Sequence, residues 1–107
     1  MNTTQYLHKC YRKLRRRFPR LPKKVKIVFR SDLDCLAQVF ADWEDRKIVS
    51  AEIQIAKRLR FAWRLCEREL FHECAHLLVP RRHHGHGELF DRQIRRIYSY
   101  ADARKSL

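Results

Sequence analysis

An α+β fold is what these 107 residues predict: a basic N-terminal helix, a three-stranded sheet, then two further helices. Three observations lead there. Apolar residues recur at intervals of three and four over residues 4–18, 61–78 and 90–101, as amphipathic helices require. β-Branched and partly alternating apolar residues fill 24–30, 36–43 and 48–55, as strands require. Pro19, Pro22, Pro80 and short polar runs separate these segments.

The elements follow in order. In the first helix Leu7, Cys10, Tyr11, Leu14 and Phe18 share one face, while Lys9, Arg12, Lys13, Arg15, Arg16 and Arg17 cover the remainder. Pro19 and Pro22 end it, because proline has no N–H to continue the ladder and disfavours helix in the residue before it. Lys24–Arg30 reads as a half-buried strand, and Ser31 to Asp34 as a turn. Residues 36–43 and 48–55 read as a hairpin around the polar connection Glu44 to Lys47, with Val49, Ala51, Ile53 and Ile55 on one face by period two. From Phe61 to Leu78 there is no Gly or Pro, and Leu70, Phe71, Cys74, Leu77 and Leu78 form an apolar stripe, so one helix runs to the residues before Pro80. After the polar loop Arg81 to Gly87, Phe90, Ile94, Ile97 and Ala101 mark the last helix.

A chain of this length has room for one hydrophobic core, so residues 1–107 are expected to form a single domain. The 45% hydrophobic content with only 2 Gly and 3 Pro belongs to an ordered chain, since disordered ones lack the apolar surface that offsets ordering entropy. No stretch approaches the roughly 18 apolar residues of a membrane span, so no membrane partner is expected. Cys10, Cys35, Cys66 and Cys74 are too widely spaced for a Cys-x-x-Cys knuckle, and no secretory-type stretch precedes them. Reduced, mostly buried thiols in a cytoplasmic or nuclear compartment are the expectation.

Lys and Arg number 25 against 12 Asp and Glu, giving a net charge of +13 and a pI near 10.3. A field of that size concentrates polyanions, and the expected partner is nucleic acid (DNA) bound through its phosphates. The basic residues lie in Arg12 to Lys26, Lys57 to Arg64, Arg81 and Arg82, and Arg92 to Arg96, and are expected to converge near the functional cleft. Arg12 to Lys24 also has the composition of a nuclear-localisation patch. Tyr6, Tyr11, Trp43 and Trp63 are the aromatics weighed for base stacking against a core role.

The central helix carries the chemistry. It reads His72-Glu73-Cys74-Ala75-His76, a His-Glu-x-x-His motif. A spacing of four puts both imidazoles on one face, one turn apart and near enough to share an ion, with Glu73 beside them to take a proton from water. Zinc is the expected metal. A catalytic zinc takes three protein ligands, and His83, His84 and His86 each offer the third. His86 is favoured because it precedes Gly87 at the start of the last helix, with Phe90 one turn on as an anchor; His84 is the alternative. His83 reads as a loop residue and His8 as a surface residue of the first helix.

Taken together, His72, Glu73, His76, His86, Gly87 and Phe90 resemble the SprT-like zinc metallopeptidases, which share a His-Glu-x-x-His helix and a later His-Gly-x-x-Phe-like segment. The resemblance covers most of the chain. It implies a minimal zincin-like domain with zinc held by His72, His76 and His86, Glu73 as catalytic base, and protein substrates associated with DNA. The sequence departs from larger members in holding no C-terminal cysteine-rich zinc ribbon. The related YgjP-like proteins have a similar metal motif and have been linked to nucleotide pyrophosphate hydrolysis. Three functions are therefore expected to compete: a zinc metallopeptidase, a metal-dependent nucleotide or phosphate hydrolase, and a non-catalytic zinc-stabilised DNA-binding module.

Overall fold

The first helix, α1 (Thr3–Arg17), begins at Asn2, whose side chain accepts the Gln5 amide at 2.8 Å while the Gln5 side chain accepts the Asn2 amide at 2.9 Å. This reciprocal cap satisfies two N–H groups that the helix itself leaves unpaired. Leu7, Tyr11 and Leu14 are buried, and Arg15, Arg16 and Arg17 occupy the last turn, where positive charge suits the helix dipole. The Tyr11 hydroxyl donates to the Pro22 carbonyl, tying the proline-rich exit back onto the helix. A computed structural model describes residues 1–80 and 86–105.

Three strands follow: β1 (Lys24–Arg30), β2 (Ala37–Glu44) and β3 (Lys47–Ala56). They form a mixed sheet in the order β1-β3-β2, with β1 parallel to β3 and β2 antiparallel to it. Parallel neighbours need a long connection between them. Here β2 and its flanking turns provide it, pairing on the far side of β3. The hairpin turns at Asp45 and Arg46, with Asp45 at φ 58°, a left-handed conformation that Asp tolerates better than most residues.

Period two divides the sheet. Ile27, Ile53 and Val39 lie in register on one face, with Phe29, Ile55 and Ala37 beside them, and these side chains pack into the core. The opposite face is polar: Gln38 donates to Gln54 at 2.6 Å, Gln54 to Glu52 at 2.6 Å, and Ser50 to Asp42 at 2.8 Å. The expected placement of Val49 with Ala51, Ile53 and Ile55 does not hold. Asp42 pairs with Ser50 but Trp43 pairs with Ile48, so a bulge skips Val49 and leaves it 41% exposed while Ile48 turns into the core.

A 3₁₀ turn (Lys57–Leu59) leads to α2 (Trp63–Leu78), and α3 (Glu88–Lys105) closes the fold. The helix expected from Phe61 starts two residues later. The Arg60 and Ala62 amides donate to the Lys57 and Leu59 carbonyls, and these short-range bonds hold Phe61 in a tight turn ahead of the helix. Cys66, Leu70, Cys74 and Ala75 are wholly buried, and α2 packs against α1, β2, β3 and α3 at once. Phe71 meets Tyr98 edge-on at 5.9 Å, and Phe18 meets Tyr100 at 6.1 Å, which docks α3 across the α1–α2 layer. The four cysteines are free, with Cys66 and Cys74 buried and Cys35 exposed. Among the described residues no helix is long and apolar enough to cross a membrane.

The bulge and the central strand yield a paired test. Ile53→Ala removes a wholly buried side chain and is expected to lower unfolding free energy by about 2–5 kcal/mol. Val49→Ala at the exposed bulge should change it by less than about 0.5 kcal/mol. Urea unfolding of both variants provides the comparison.

Candidate metal centre

α2 is an amphipathic helix whose less apolar face is aimed at a cleft rather than at bulk solvent. His72 and His76 stand one turn apart on that face with ring centroids 5.0 Å apart. His86, just before α3, brings its Nε2 to 3.0 Å from the Nε2 of each. All three candidate ligand atoms lie within 4.8 Å of one another. Phe90, buried one turn into α3, touches all three imidazoles, with centroids at 4.9, 4.5 and 4.6 Å from His72, His76 and His86. Its ring supports the cluster from the core side and sets where His86 can reach.

The arrangement fits a shared cation better than a hydrogen-bond network. An imidazole Nε2 offers either one proton or one lone pair, so His86 cannot bond well to two other Nε2 atoms at once. Three nitrogens around one zinc, at bond lengths of about 2.0–2.1 Å and tetrahedral angles, would stand roughly 3.4 Å apart. The separations of His86 from the other two are close to that. Burial, and then the neighbouring His86, lower the pKa of His72, while Glu69 opposes them. The neutral imidazole so favoured is the form that ligates metal.

Glu73 lies on the same helix, 4% exposed. Burial pushes its carboxyl up to about 7, and the negative charge of Glu69 adds to the shift. Glu69 is a residue that the motif alone does not single out. Its signal is in the spacing, since it stands four residues before Glu73 and three before His72, neighbours on a helix surface.

These side chains form one wall of a cleft of about 840 Å³, and residues 37–41 of β2 form the other. β2 is an edge of the sheet. No Lys or Arg lines the cleft among the described residues. The positive charge gathers elsewhere, as where Arg17 and Arg96 lie over Phe18 at 5.4 and 5.2 Å. The aromatics considered for base stacking are packing residues: Tyr6 lies tilted against Trp63 at 4.7 Å, Tyr11 is buried, and Trp43 packs against the core. His83, His84, Arg81 and Arg82 lie outside the described residues. His8 is half-buried on α1 and takes no part in the cluster.

Comparison with protein-family models, curated proteins and solved structures finds no match to this chain.

Two measurements test this centre. Elemental analysis of purified protein should find one divalent metal per chain, lost or strongly weakened in His86→Ala and retained in His8→Ala. The second concerns the metal-free protein. Because the folded-state pKa of Glu73 is raised, the unfolded chain releases this proton first, so its contribution to stability falls as pH rises from about 4.5 to about 7. In chelator, Glu73→Gln should therefore gain on wild type across that window, by about 3 kcal/mol at pH 8. Denaturant unfolding at pH 4.5 and pH 8 measures the difference.

Proposed function

We propose that this protein is a zinc-dependent metallopeptidase of the SprT-like kind, a minimal zincin-like domain that hydrolyses peptide bonds in proteins associated with nucleic acid. The observation that carries the reading is the convergence of His72, His76 and His86 beside the buried Glu73, on a cleft whose opposite wall is the edge strand β2. The residues present suit zinc: three imidazole nitrogen donors, with a roomy cleft on the remaining side. When bound, zinc supplies Lewis acidity, polarising a carbonyl and drawing the pKa of water toward neutrality.

The chain's own residues supply the remainder. The Glu73 carboxylate accepts the proton of the attacking water and delivers it to the leaving amine. Phe90 holds the three imidazoles in place. The free edge of β2 presents backbone N–H and C=O groups to which an extended peptide can add as a further strand. Recognition through backbone groups carries little sequence preference, which suits an enzyme acting on varied proteins.

The absence of Lys and Arg from the cleft lining among the described residues weighs against nucleotides as substrates, since phosphate transfer sites clamp their charge with cations. A non-catalytic zinc module would leave Glu73 without a reason to be buried beside the cluster, at the energetic cost of a displaced pKa.

The test uses zinc-loaded wild type and Glu73→Gln against an unstructured protein substrate and a DNA-binding protein, with and without DNA. Wild type should cleave, and Glu73→Gln should retain its zinc and lose about 10²–10⁴-fold in rate. Equal cleavage by both proteins would remove Glu73 from the mechanism. Phosphate release from nucleoside triphosphates with no proteolysis would establish the hydrolase of small phosphates instead.

A further inference from the structure

Ahead of α2 the chain presents Phe61, a phenyl ring 83% exposed to solvent. Its segment is not loosely held. The Thr3 hydroxyl donates to the Arg60 carbonyl at 2.5 Å, the Ala62 amide to the Leu59 carbonyl at 2.8 Å, and the Cys66 thiol to the same carbonyl at 3.0 Å. The turn is thus pinned on both sides while its aromatic side chain points away from the core. The Arg60 guanidinium lies over one face of the ring, 4.7 Å from its centroid, and the exposure leaves the other face open.

The ring borders a shallow cleft of about 450 Å³ formed by Arg30, Ser31, Lys57, Arg58, Arg60 and Phe61. Four of these six residues are cations, and none is acidic. Arg30 is held by Asp32 through two contacts of 2.8 and 2.9 Å, which fixes its guanidinium and offsets its charge. Among the described residues no ion pair engages Lys57, Arg58 or Arg60.

We infer that the turn carrying Phe61 is a binding site for single-stranded nucleic acid, with a base stacked on the open face of Phe61 and the adjoining phosphates held by Lys57, Arg58 and Arg60. The pairing of chemistries selects this ligand. A planar apolar surface next to several cations matches a strand in which flat bases alternate with phosphates. An acidic peptide offers the charges but not a flat group regularly beside each one, and an apolar partner has no use for the cations. A duplex keeps its base faces inside the stack, out of reach of a side chain that does not enter it.

The inference rests on the nucleic-acid part of the reading above, not on hydrolysis. Trp63 opens α2 two residues after Phe61, and His72 lies nine helical steps further on, an axial rise of about 14 Å. A strand seated at Phe61 would hold proteins bound to it within reach of the His cluster.

The experiment is fluorescence anisotropy with a labelled oligothymidylate and a duplex of equal length, over a salt series. Wild type should bind the single strand more tightly. Phe61→Ala should weaken that binding about tenfold, and Phe61→Trp should restore it. Arg58→Ala should lower the salt slope by about 0.7. Arg16→Ala, which removes the same charge from exposed α1, should leave the preference for single strand and its dependence on Phe61 intact. Wild-type affinity in Phe61→Ala would overturn the inference, as would equal affinity for duplex with the same dependence on Phe61. Light scattering that shows a wild-type dimer lost in Phe61→Ala would identify a self-association surface in its place. Glu73→Gln should bind as wild type does, so failure of proteolysis leaves this site standing, and proteolysis without Phe61-dependent binding removes this site alone.

Discussion

Burial of α2 against both the apolar face of the sheet and the flanking helices is the constraint on which the other features depend. The helix must fill the core with Cys66, Leu70, Cys74 and Leu78 while keeping His72, Glu73 and His76 on the wall of a cleft. Close packing fixes its rotation, since a turn of one residue would bury an imidazole and expose a leucine. The spacing of four then becomes a fixed distance between two nitrogen donors. α3 completes the arrangement because Phe90 is both a core residue and the support of all three rings.

Glu73 shows what that packing costs. A carboxyl 4% exposed beside a second carboxylate is held against ionisation, and its pKa rises to about 7. An apolar residue at this position would avoid the penalty. Keeping an acid there is intelligible where a group able to accept and return a proton near neutrality is needed, and that is the role assigned to it.

The positive charge follows another logic. It is spread over α1, the turn before α2 and α3, and it avoids the lining of the His cleft among the described residues. On the function proposed above, that separation would keep a nucleic-acid strand and the protein held on it from competing for the same cations. Phe61 stands among Lys57, Arg58 and Arg60, on a turn pinned by Thr3, Leu59 and Cys66.

Much of the architecture was legible in the residues, for physical reasons. Periodicities of 3.6 and 2 revealed α1, the three strands and α2 to within about two residues, and α3 short of its last turn, because amphipathic burial is written into local spacing. His72, Glu73 and His76 were legible likewise, as one helix turn brings them together without help from elsewhere in the chain. The parallel pairing of β1 with β3, the bulge that exposes Val49, and the edge position of β2 on the cleft were not, since each depends on partners distant in sequence. His86 could be favoured from Gly87 and Phe90 beside it, but its nitrogen meets the other two only because α3 packs back on α2; Phe61 reads as the apolar start of a helix and stands in solvent because the helix begins at Trp63. Local spacing thus determined the elements and two of the three histidines, whereas long-range packing decided the third donor, the wall opposite it and which aromatic faces water.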